Sequence, residues 1–127
     1  MHGKHLFEYA VIRVVPRVER EEFLNVGVVL YCREQQFLRV KYTLNKEKLL
    51  PFCGPLDCTE VEEHLRAFDL ICKGDPAGGP IAALDLPSRF RWLTATRSTV
   101  VQSSKVHPGF CTSAEETLEQ LHSQLVL

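Results

Sequence analysis

The first third of the chain carries three β-rich runs before any helical pattern begins. Residues 6–15 (LFEYAVIRVV) place apolar side chains on both faces of an extended strand. This pattern is typical of an interior strand covered on both sides, or of one covered on one side and in contact with a partner on the other. Pro16 has no N–H to donate, so it ends the strand, and residues 17–22 form a turn or a short helical turn.

The second and third runs predict a hairpin. Residues 25–32 (NVGVVLYC) contain Gly27, which weakens a strand and therefore indicates a bulge or the close approach of another group. Residues 33–36 (REQQ) form the turn, and residues 37–44 alternate as in a half-exposed antiparallel strand. Alternation places Val26, Val28, Leu30 and Cys32 on one face of the second strand, and it turns Leu38, Val40 and Tyr42 of the third strand inward.

Two helices follow in the second half. Thr59 and Glu62 form a capping box, and Gly74 occupies a C-cap position, which together predict a helix over residues 60–73. Ser113 and Glu116 form a second capping box, which opens a C-terminal helix. Apolar residues recur at helical spacing in both segments, namely Val61, Leu65, Phe68 and Cys72 in the first and Leu118, Leu121 and Leu125 in the second.

The segment between these helices is less regular. Residues 75–80 (DPAGGP) predict a loop, residues 86–92 a helical turn that becomes a strand, and residues 100–103 a short strand. Because the strands are grouped first and the helices come later, the order predicts an α+β fold. We expect a single α+β domain over residues 1–127, with an antiparallel sheet of three to four strands covered by two helices.

Composition and charge narrow the class of protein. The chain has 127 residues, of which 45% are hydrophobic and 24% charged, as in ordinary globular proteins. A net charge of −1 creates no global field toward nucleic acid or membrane. No apolar run reaches the roughly 18 residues of a membrane span, and the N-terminal sequence MHGKHLFEYA lacks the apolar core of a signal peptide. We therefore expect a cytoplasmic protein without a membrane partner.

The cysteines do not form a metal or disulfide pattern. An odd number without a C-x-x-C pair argues against a disulfide framework and against a zinc ribbon. Cys53 and Cys58 have a spacing that a metal can use, but no further pair of ligands follows at a regular distance. We expect no metal, and reduced thiols that fill apolar space, at Cys32, Cys53, Cys58, Cys72 and Cys111.

No motif assigns an activity. The chain contains no G-x-x-x-x-G-K-[ST] phosphate loop, no G-x-G-x-x-G and no G-x-S-x-G nucleophile elbow. These absences disfavour a conventional hydrolase or nucleotide-binding enzyme. No cofactor is expected, the catalytic residues are unknown, and whether the protein is an enzyme stays open.

The uneven distribution of charged residues along the chain indicates one candidate binding surface. Residues 86–114 contain no acidic residue but mix cationic, aromatic and hydroxyl side chains. Such groups bind phosphate or carboxylate, so the segment predicts an anion site for a nucleotide or a nucleic-acid backbone. The alternative, which we prefer, is a solvated basic surface whose charges pair with the acidic residues of the 60–73 helix, namely Glu60, Glu62, Glu63 and Asp69. The candidate anion-binding residues of this segment are Arg89, Arg91, Arg97, Ser98 and His107.

Arg13 adds a second candidate. It shares a strand face with apolar side chains, where a charge is costly unless it is paired. An Arg13–Glu22 ion pair is the plainer explanation. The functional alternative is that Arg13, Asn25 and the backbone of Gly27 line a pocket beside the basic segment.

Two stretches resemble the signatures of a bacterial family known only as a domain of unknown function. Y-x-V-x-R-x-x-P and N-V-G-V-V-L correspond to residues 9–16 and 25–30, and R-F-R-W-L-T-A-x-R-S-T and V-H-x-G to residues 89–99 and 106–109. Thr96 departs from the family pattern, in which proline is usual. The resemblance implies no established activity. Because some relatives are encoded beside kinase-like proteins similar to HipA-type toxins, it implies an accessory role.

Two hypotheses follow. The first is a small non-catalytic binding or accessory module, acting as a homodimer or as the protein partner of a larger, kinase-like enzyme. The observation that supports it is the second apolar face of the first strand, which an interface could bury. The second is a protein or enzyme that binds a phosphate-containing ligand, a nucleotide or nucleic acid through a basic cleft of arginine and histidine.

Overall fold

The computed structural model describes residues 4–15, 23–45, 47–49, 58–95 and 100–127. Residues 47–49 are helical. The other elements, in chain order, are β1 (His5–Val14), β2 (Leu24–Cys32), β3 (Phe37–Tyr42), α1 (Cys58–Lys73), the 3₁₀ helices Pro76–Gly78 and Pro80–Ala83, α2 (Leu86–Leu93), β4 (Val101–Ser103), β5 (His107–Cys111) and α3 (Ala114–Leu125).

The strands form one antiparallel sheet with β1 in its interior. β2 pairs with one edge of β1 over almost its whole length, and β3 pairs with β2 beyond it. On the other edge, β5 pairs with the first half of β1 and β4 with the second half. The sheet therefore has five strands but is four strands wide, because β4 and β5 lie end to end.

A bulge interrupts the pairing of β1 with β2. Ile12 pairs with Gly27 and the next residue, Arg13, pairs with Asn25, so Val26 is an extra residue in β2. The extra residue reverses the alternation. Val26 therefore does not share a face with Val28, Leu30 and Cys32, as uniform alternation predicts, but lies in the opposite core.

Gly27 also allows β3 to approach closely. A Cβ atom on Gly27 would lie 2.9 Å from Cβ of Tyr42 and 3.0 Å from the carbonyl oxygen of Lys41, closer than side-chain atoms pack. Both interpretations of this glycine, the bulge and the close approach, are confirmed.

Helices cover both faces of the sheet. On the α1 face, α1 and α2 bury Ala10, Ile12 and Val14 of β1 in the larger core. On the opposite face, the α3 face, Phe7 of β1 and Leu30 of β2 lie in a second core with α3. The second half of β1 is therefore buried on both faces within one chain, whereas Leu6 in its first half is 50% exposed on the α1 face.

Helix α1 ends at the position that its C-terminal glycine, Gly74, predicts. Gly74 has a φ of +69°, and its N–H donates to the carbonyl of Ile71 while the N–H of Asp75 donates to that of Leu70. These two bonds form a Schellman motif, which satisfies carbonyl groups that the helix leaves unpaired. The predicted C-cap at Gly74 is confirmed.

The α+β class is confirmed, and several local predictions are corrected. The DPAGGP segment is not a plain loop, because prolines at the first positions start two short 3₁₀ helices, Pro76–Gly78 and Pro80–Ala83. Residues 86–92 do not become a strand, because Asp85 caps the Ser88 N–H at 2.8 Å and the helix continues through Leu93. Strand β5 was not predicted, and α2 is an α-helix in addition to the two that the sequence predicted. The side chain of Tyr42, expected to point inward, is 37% exposed.

Gly109 lets β5 pack against the central strand. It pairs with Phe7, and the phenyl ring lies directly over the glycine. A Cβ atom on Gly109 would lie 2.6 Å from Cζ and 2.8 Å from Cε1 of Phe7. Because the ring is buried in the core of the α3 face, it has little room to move away.

We predict that Gly109→Ala lowers the free energy of unfolding by about 1–3 kcal/mol, since the added methyl overpacks the Phe7 ring. Chemical denaturation measures this change. Adding Phe7→Leu should relieve the clash, so the double variant should be less unstable than the sum of the two single variants by about 1 kcal/mol. Full additivity of the two substitutions would contradict this packing.

Candidate functional site

The sequence candidates Arg13 and Asn25 are neighbours in the sheet. They are paired across β1 and β2 at the bulge. The guanidinium of Arg13 lies 4.2 Å from the centre of the Phe23 ring, a cation–π contact, and Asn25 Nδ2 donates to the carbonyl of Leu125 at 3.1 Å. Arg13 Nε and Asn25 Oδ1 are buried, and neither has a hydrogen-bond partner in the described part of the chain. The predicted ion-pair partner, Glu22, lies outside that part.

Arg89 hydrogen-bonds to the backbone of another helix. Its Nη1 donates to the carbonyls of Ile71 and Cys72 at 2.9 and 3.0 Å. These carbonyls belong to the last turn of α1, where a positive charge also interacts favourably with the helix dipole. The side chain therefore fastens α2 to the end of α1.

The remaining candidates lie apart from one another. Arg91 is exposed on α2, and its Nη2 donates to Ser88 Oγ at 3.3 Å. His107 lies on β5, with its ring centre 5.3 Å from that of Tyr9 on the α3 face. Arg97 and Ser98 fall outside the described residues. Those candidates that the structure describes are thus dispersed, and only Arg13 and Asn25 are direct neighbours.

Two acidic residues of α1 pair within the helix itself. Asp69 pairs with Lys73 at 2.8 Å, and Glu60 lies 4.0 Å from His64, both within the same helix. Such exposed pairs contribute little to stability, with typical values of about 0.3–0.5 kcal/mol.

A cleft opens on the part of the α1 face that the helices leave uncovered. Helix α1 packs on β3, and α2 packs on β2 and β3. Among the residues that the structure describes, Leu6 of β1 and Phe110 of β5 stay exposed on this face. Two adjoining hollows of about 530 and 300 Å³ share the residues Glu8, Tyr31 and Arg33. We call them together the open cleft, which is lined by Leu6, Glu8, Tyr31, Arg33, Glu34, Gln36, Asp85, Leu86, Pro87 and Arg91.

Each wall of the open cleft comes from a different element. Glu8 is carried by β1 and Arg33 by the β2–β3 turn, while Asp85 and Arg91 come from the start and the interior of α2. Tyr31 forms the floor, where its ring stacks on Phe90 of α2 with the centroids 5.5 Å apart. The stacked pair fixes the depth of the cleft, since both rings are buried.

The open cleft carries charges of both signs, from the carboxylates Glu8, Glu34 and Asp85 and the guanidinium groups Arg33 and Arg91. Asp85 accepts the N–H of Ser88 at 2.8 Å. Hydrogen bonds from the Ser88 side chain and then from its backbone N–H keep the pKa of the Asp85 carboxyl below its usual value. Within the described part of the chain, Glu8, Arg33 and Arg91 form no ion pair. A ligand for this cleft therefore needs groups of both signs, and an anion alone would meet Glu8 as well as the arginines.

An exposed apolar patch borders the open cleft. Leu6 of β1 and Phe110 of β5 are paired across the sheet, and they are 50% and 62% exposed. Pro108, also exposed, pairs with Glu8 on the same side. We call Leu6, Pro108 and Phe110 the β1–β5 patch. Apolar side chains that lie together on a surface beside charged groups are typical of protein contact sites.

This site was not predictable from the sequence, because its polar residues occupy positions that are typical of any protein surface. Glu8 and Arg33 read as surface positions of a strand and a turn, and the Pro108–Gly109 pair concealed β5. One signal was present, since Pro108 and Phe110 alternate with Gly109 and Cys111 as a strand requires.

The buried thiols are poorly suited to chemistry. Burial, together with the nearby Asp69 carboxylate, raises the pKa of the Cys72 thiol to about 12. Burial and the neighbouring Cys32 also raise the pKa of Cys111. Because the thiolate is the nucleophile, neither side chain is activated at neutral pH. All four described cysteines, Cys32, Cys58, Cys72 and Cys111, are free, and Cys53 lies outside the described residues.

Over the described ranges, no three His, Cys, Asp or Glu side chains are grouped closely enough to hold a metal ion. In the same ranges, no helix combines the length and the apolar character that crossing a bilayer requires.

The fold and the site define an α+β protein with helices on both faces of an antiparallel sheet and a cleft with charges of both signs beside an apolar patch. Residues 9–126 match the model of the family described as "Protein of unknown function (DUF3037)". The chain belongs to this family, as its two signatures indicated. No curated protein and no solved structure matches the chain.

His122 is the polar side chain whose environment predicts a pH effect on stability. It is 3% exposed on α3, and its Nε2 lies 2.9 Å from the Thr43 hydroxyl. Burial lowers its pKa below the usual 6.5, the Lys41 cation adds to this, and the Glu119 carboxylate opposes it. The unfolded chain therefore takes up this proton more readily than the folded chain, and the stability contributed by neutral His122 is lost as pH falls below 6.5.

We predict that His122→Gln removes this dependence. The difference in free energy of unfolding between wild type and variant should be about 1 kcal/mol at pH 7.5, from the lost hydrogen bond, and should shrink toward pH 5. Urea denaturation at several pH values measures it. Because the other histidines are present in both proteins, their titration cancels, and a difference that stays constant would contradict the prediction.

Proposed function

We propose that this protein is a small non-catalytic accessory module that binds another protein through the β1–β5 patch and the open cleft. The observation that carries the proposal is the exposure of Leu6 and Phe110, 50% and 62%, side by side on a sheet face that is otherwise covered by helices. Full burial of a leucine or phenylalanine side chain is worth about 1.5–3 kcal/mol. A partner that covers both residues therefore gains a substantial part of its binding free energy there.

The charges around the patch favour a protein partner over nucleic acid. The open cleft carries the carboxylates Glu8, Glu34 and Asp85 beside the guanidinium groups of Arg33 and Arg91. A phosphate backbone would be repelled by the carboxylates, whereas a protein surface presents both signs and apolar groups together. The net charge of −1 likewise gives nucleic acid no long-range attraction.

We place this accessory role in the cytoplasm. The family resemblance adds one class of partner, a kinase-like enzyme. No contact among the described residues bears on that partner, and it stays a prediction.

The variant Leu6→Ser/Phe110→Ser tests the proposal. Proteins that co-purify with the tagged chain are identified and purified, and their affinities for wild type and variant are measured by calorimetry. We expect the double substitution to weaken binding at least about 100-fold, from the lost apolar burial. Leu84→Ser is the matched control, because Leu84 is 44% exposed but lies outside the patch.

Thermal unfolding shows whether the variant is folded. We expect its stability to stay within about 1 kcal/mol of wild type, since both side chains are largely exposed. Equal affinity of wild type and variant for every identified partner would refute the proposed surface, and so would the absence of any binding protein.

A second candidate function has its own observation. Arg13 Nε and Asn25 Oδ1 are adjacent buried polar atoms, a donor and an acceptor, that the described residues leave without partners. Buried polar groups without partners are rare, so a ligand with an anionic oxygen and a donor group would satisfy both. This arrangement supports the binding of a phosphate-containing ligand at Arg13 and Asn25 alone. It does not require a cleft formed by all the candidate residues that the sequence suggested.

Thermal shift with inorganic phosphate, nucleotides and an oligonucleotide tests this second candidate. We expect at least one of them to raise the melting temperature of wild type and not that of Arg13→Met. Arg39→Met is a matched control, because the Arg39 guanidinium also lies over a phenylalanine ring of the sheet, 5.0 Å from the centre of Phe37. The Arg13 site would be ruled out if no anion raised the melting temperature of wild type, or if Arg13→Met and Arg39→Met lost this stabilisation equally.

A further inference from the structure

Two of the three carboxylates in the open cleft are already engaged within the chain. Glu34 pairs with His5, whose Nδ1 lies 2.5 Å from Glu34 Oε2. Asp85 accepts the N–H of Ser88 at 2.8 Å as the cap of α2, and Arg91 Nη2 donates to the hydroxyl of the same serine at 3.3 Å. Ser88 therefore connects one carboxylate of the cleft to one of its two guanidinium groups.

Glu8 and Arg33 are the charged residues of the cleft that remain. Both line each of the two hollows, and in the described part of the chain neither forms an ion pair. Glu8 pairs with Tyr31 across β1 and β2, and Arg33 follows two residues after Tyr31. Positions with this offset in an antiparallel pair are about 7–8 Å apart, which leaves room for a small charged group of each sign between the two side chains.

We propose that the open cleft binds a free α-amino acid with a large apolar side chain, whose ammonium group lies at Glu8 and whose carboxylate lies at Arg33. This ligand goes beyond the proposed function, because it is a small molecule that needs no protein partner. An α-amino acid carries both charged groups on one carbon atom, so it can form a charge-assisted hydrogen bond to each of two neighbouring side chains. A simple anion would be repelled by Glu8, and a simple amine or a metal cation would be repelled by Arg33.

The apolar walls of the cleft determine which side chain the amino acid carries. Tyr31 is the buried floor, Leu86 and Pro87 line the larger hollow, and Leu6 lines the smaller one. An apolar side chain that covers these residues leaves water, which favours binding. The hollows of about 530 and 300 Å³ lie within the range of about 300–1,000 Å³ that is typical of small-molecule sites. The cleft therefore has room for an amino acid of the size of leucine or phenylalanine.

NMR titration of the isotope-labelled full chain with L-leucine and with L-phenylalanine tests the proposal. We expect saturable shifts of the backbone amides around Glu8, Tyr31 and Arg33, with a Kd of about 1 mM or lower for at least one of the two amino acids. Glycine has the same two charged groups but no side chain, so it should bind at least about tenfold more weakly.

Variants combined with ligand analogues identify the contact that each charge makes. Glu8→Gln should weaken the amino acid about tenfold or more. The N-acetyl derivative of that amino acid lacks the ammonium group and is repelled by Glu8, so it should bind Glu8→Gln at least as well as wild type. Arg33→Gln should likewise weaken the amino acid about tenfold or more, whereas the amide derivative, which lacks the carboxylate, should bind this variant at least as well as wild type. Damage to the cleft would instead weaken the amino acid and its derivatives alike.

Glu63→Gln and Arg66→Gln are matched controls, because both residues are exposed on α1 and line neither hollow. Circular dichroism with thermal unfolding shows whether each variant is folded. Saturable binding that both cleft variants weaken and both controls leave unchanged supports the proposal. The proposal is overturned if neither amino acid binds up to about 10 mM, if either folded cleft variant binds as tightly as wild type, or if the shifts lie outside the cleft.

The amino-acid site and the proposed function can fail separately. If no amino acid binds, the accessory module is still supported by a purified protein that loses affinity for Leu6→Ser/Phe110→Ser. If no protein partner is found, saturable binding of an amino acid that depends on Glu8 and Arg33 still supports the site.

Discussion

The structure depends on how the N–H and C=O groups of β1 find partners along both edges of the strand, whose second half is also buried on both faces. β2 provides one edge, and β4 and β5 share the other. At the joint between β4 and β5, Ser104 accepts the N–H of Val11 with its hydroxyl at 2.8 Å and donates its own N–H to the Val11 carbonyl at 2.8 Å. The serine hydroxyl also donates to the carbonyl of Lys105, so this buried side chain is fully used. Without it, a buried strand would have an unpaired amide at its centre.

The division of that edge between two strands also explains the exposed surface. β4 pairs with the half of β1 that α1 and α2 cover, whereas β5 pairs with the half beyond the helices. On the α3 face, Cys111 of β5 is buried together with Phe7 of β1. On the α1 face, Pro108 and Phe110 of β5 are exposed to solvent. The β1–β5 patch is thus a consequence of sheet topology. A longer helix over β5 would remove it.

The elements with strong local signals were predictable from the sequence. The Ser113 cap, the Gly74 C-cap and the Gly27 bulge each rest on one backbone requirement that a single residue type meets, and each is found. The doubly apolar first strand correctly indicated an interior position. These features depend on neighbours within a few residues or on one adjacent strand, so the linear pattern contains them.

The site was much less predictable, for a physical reason. The anion-site hypothesis required the basic residues of one segment to converge. Because α2 is a helix, Arg89 and Arg91 instead point to different surroundings, one to the end of α1 and the other to the open cleft. Which charge meets which depends on the packing of α2 against β2 and β3. The exposure of Leu6 and Phe110 depends in turn on which part of a sheet face the helices leave open, and hydrophobic patterning does not encode that.

The central claim is that α3 buries one face of the β1–β5 region while the opposite, α1 face of the same region stays exposed, and it can be tested by solvent paramagnetic relaxation in NMR. A soluble gadolinium chelate is added to dilute, isotope-labelled protein, and the broadening of methyl and aromatic protons is measured. The account predicts strong broadening for Leu6 and Phe110 and almost none for Phe7, Val28 and Leu30, which lie in the core of the α3 face. Protection of Leu6 and Phe110 equal to that of Phe7 in the dilute monomer would contradict it.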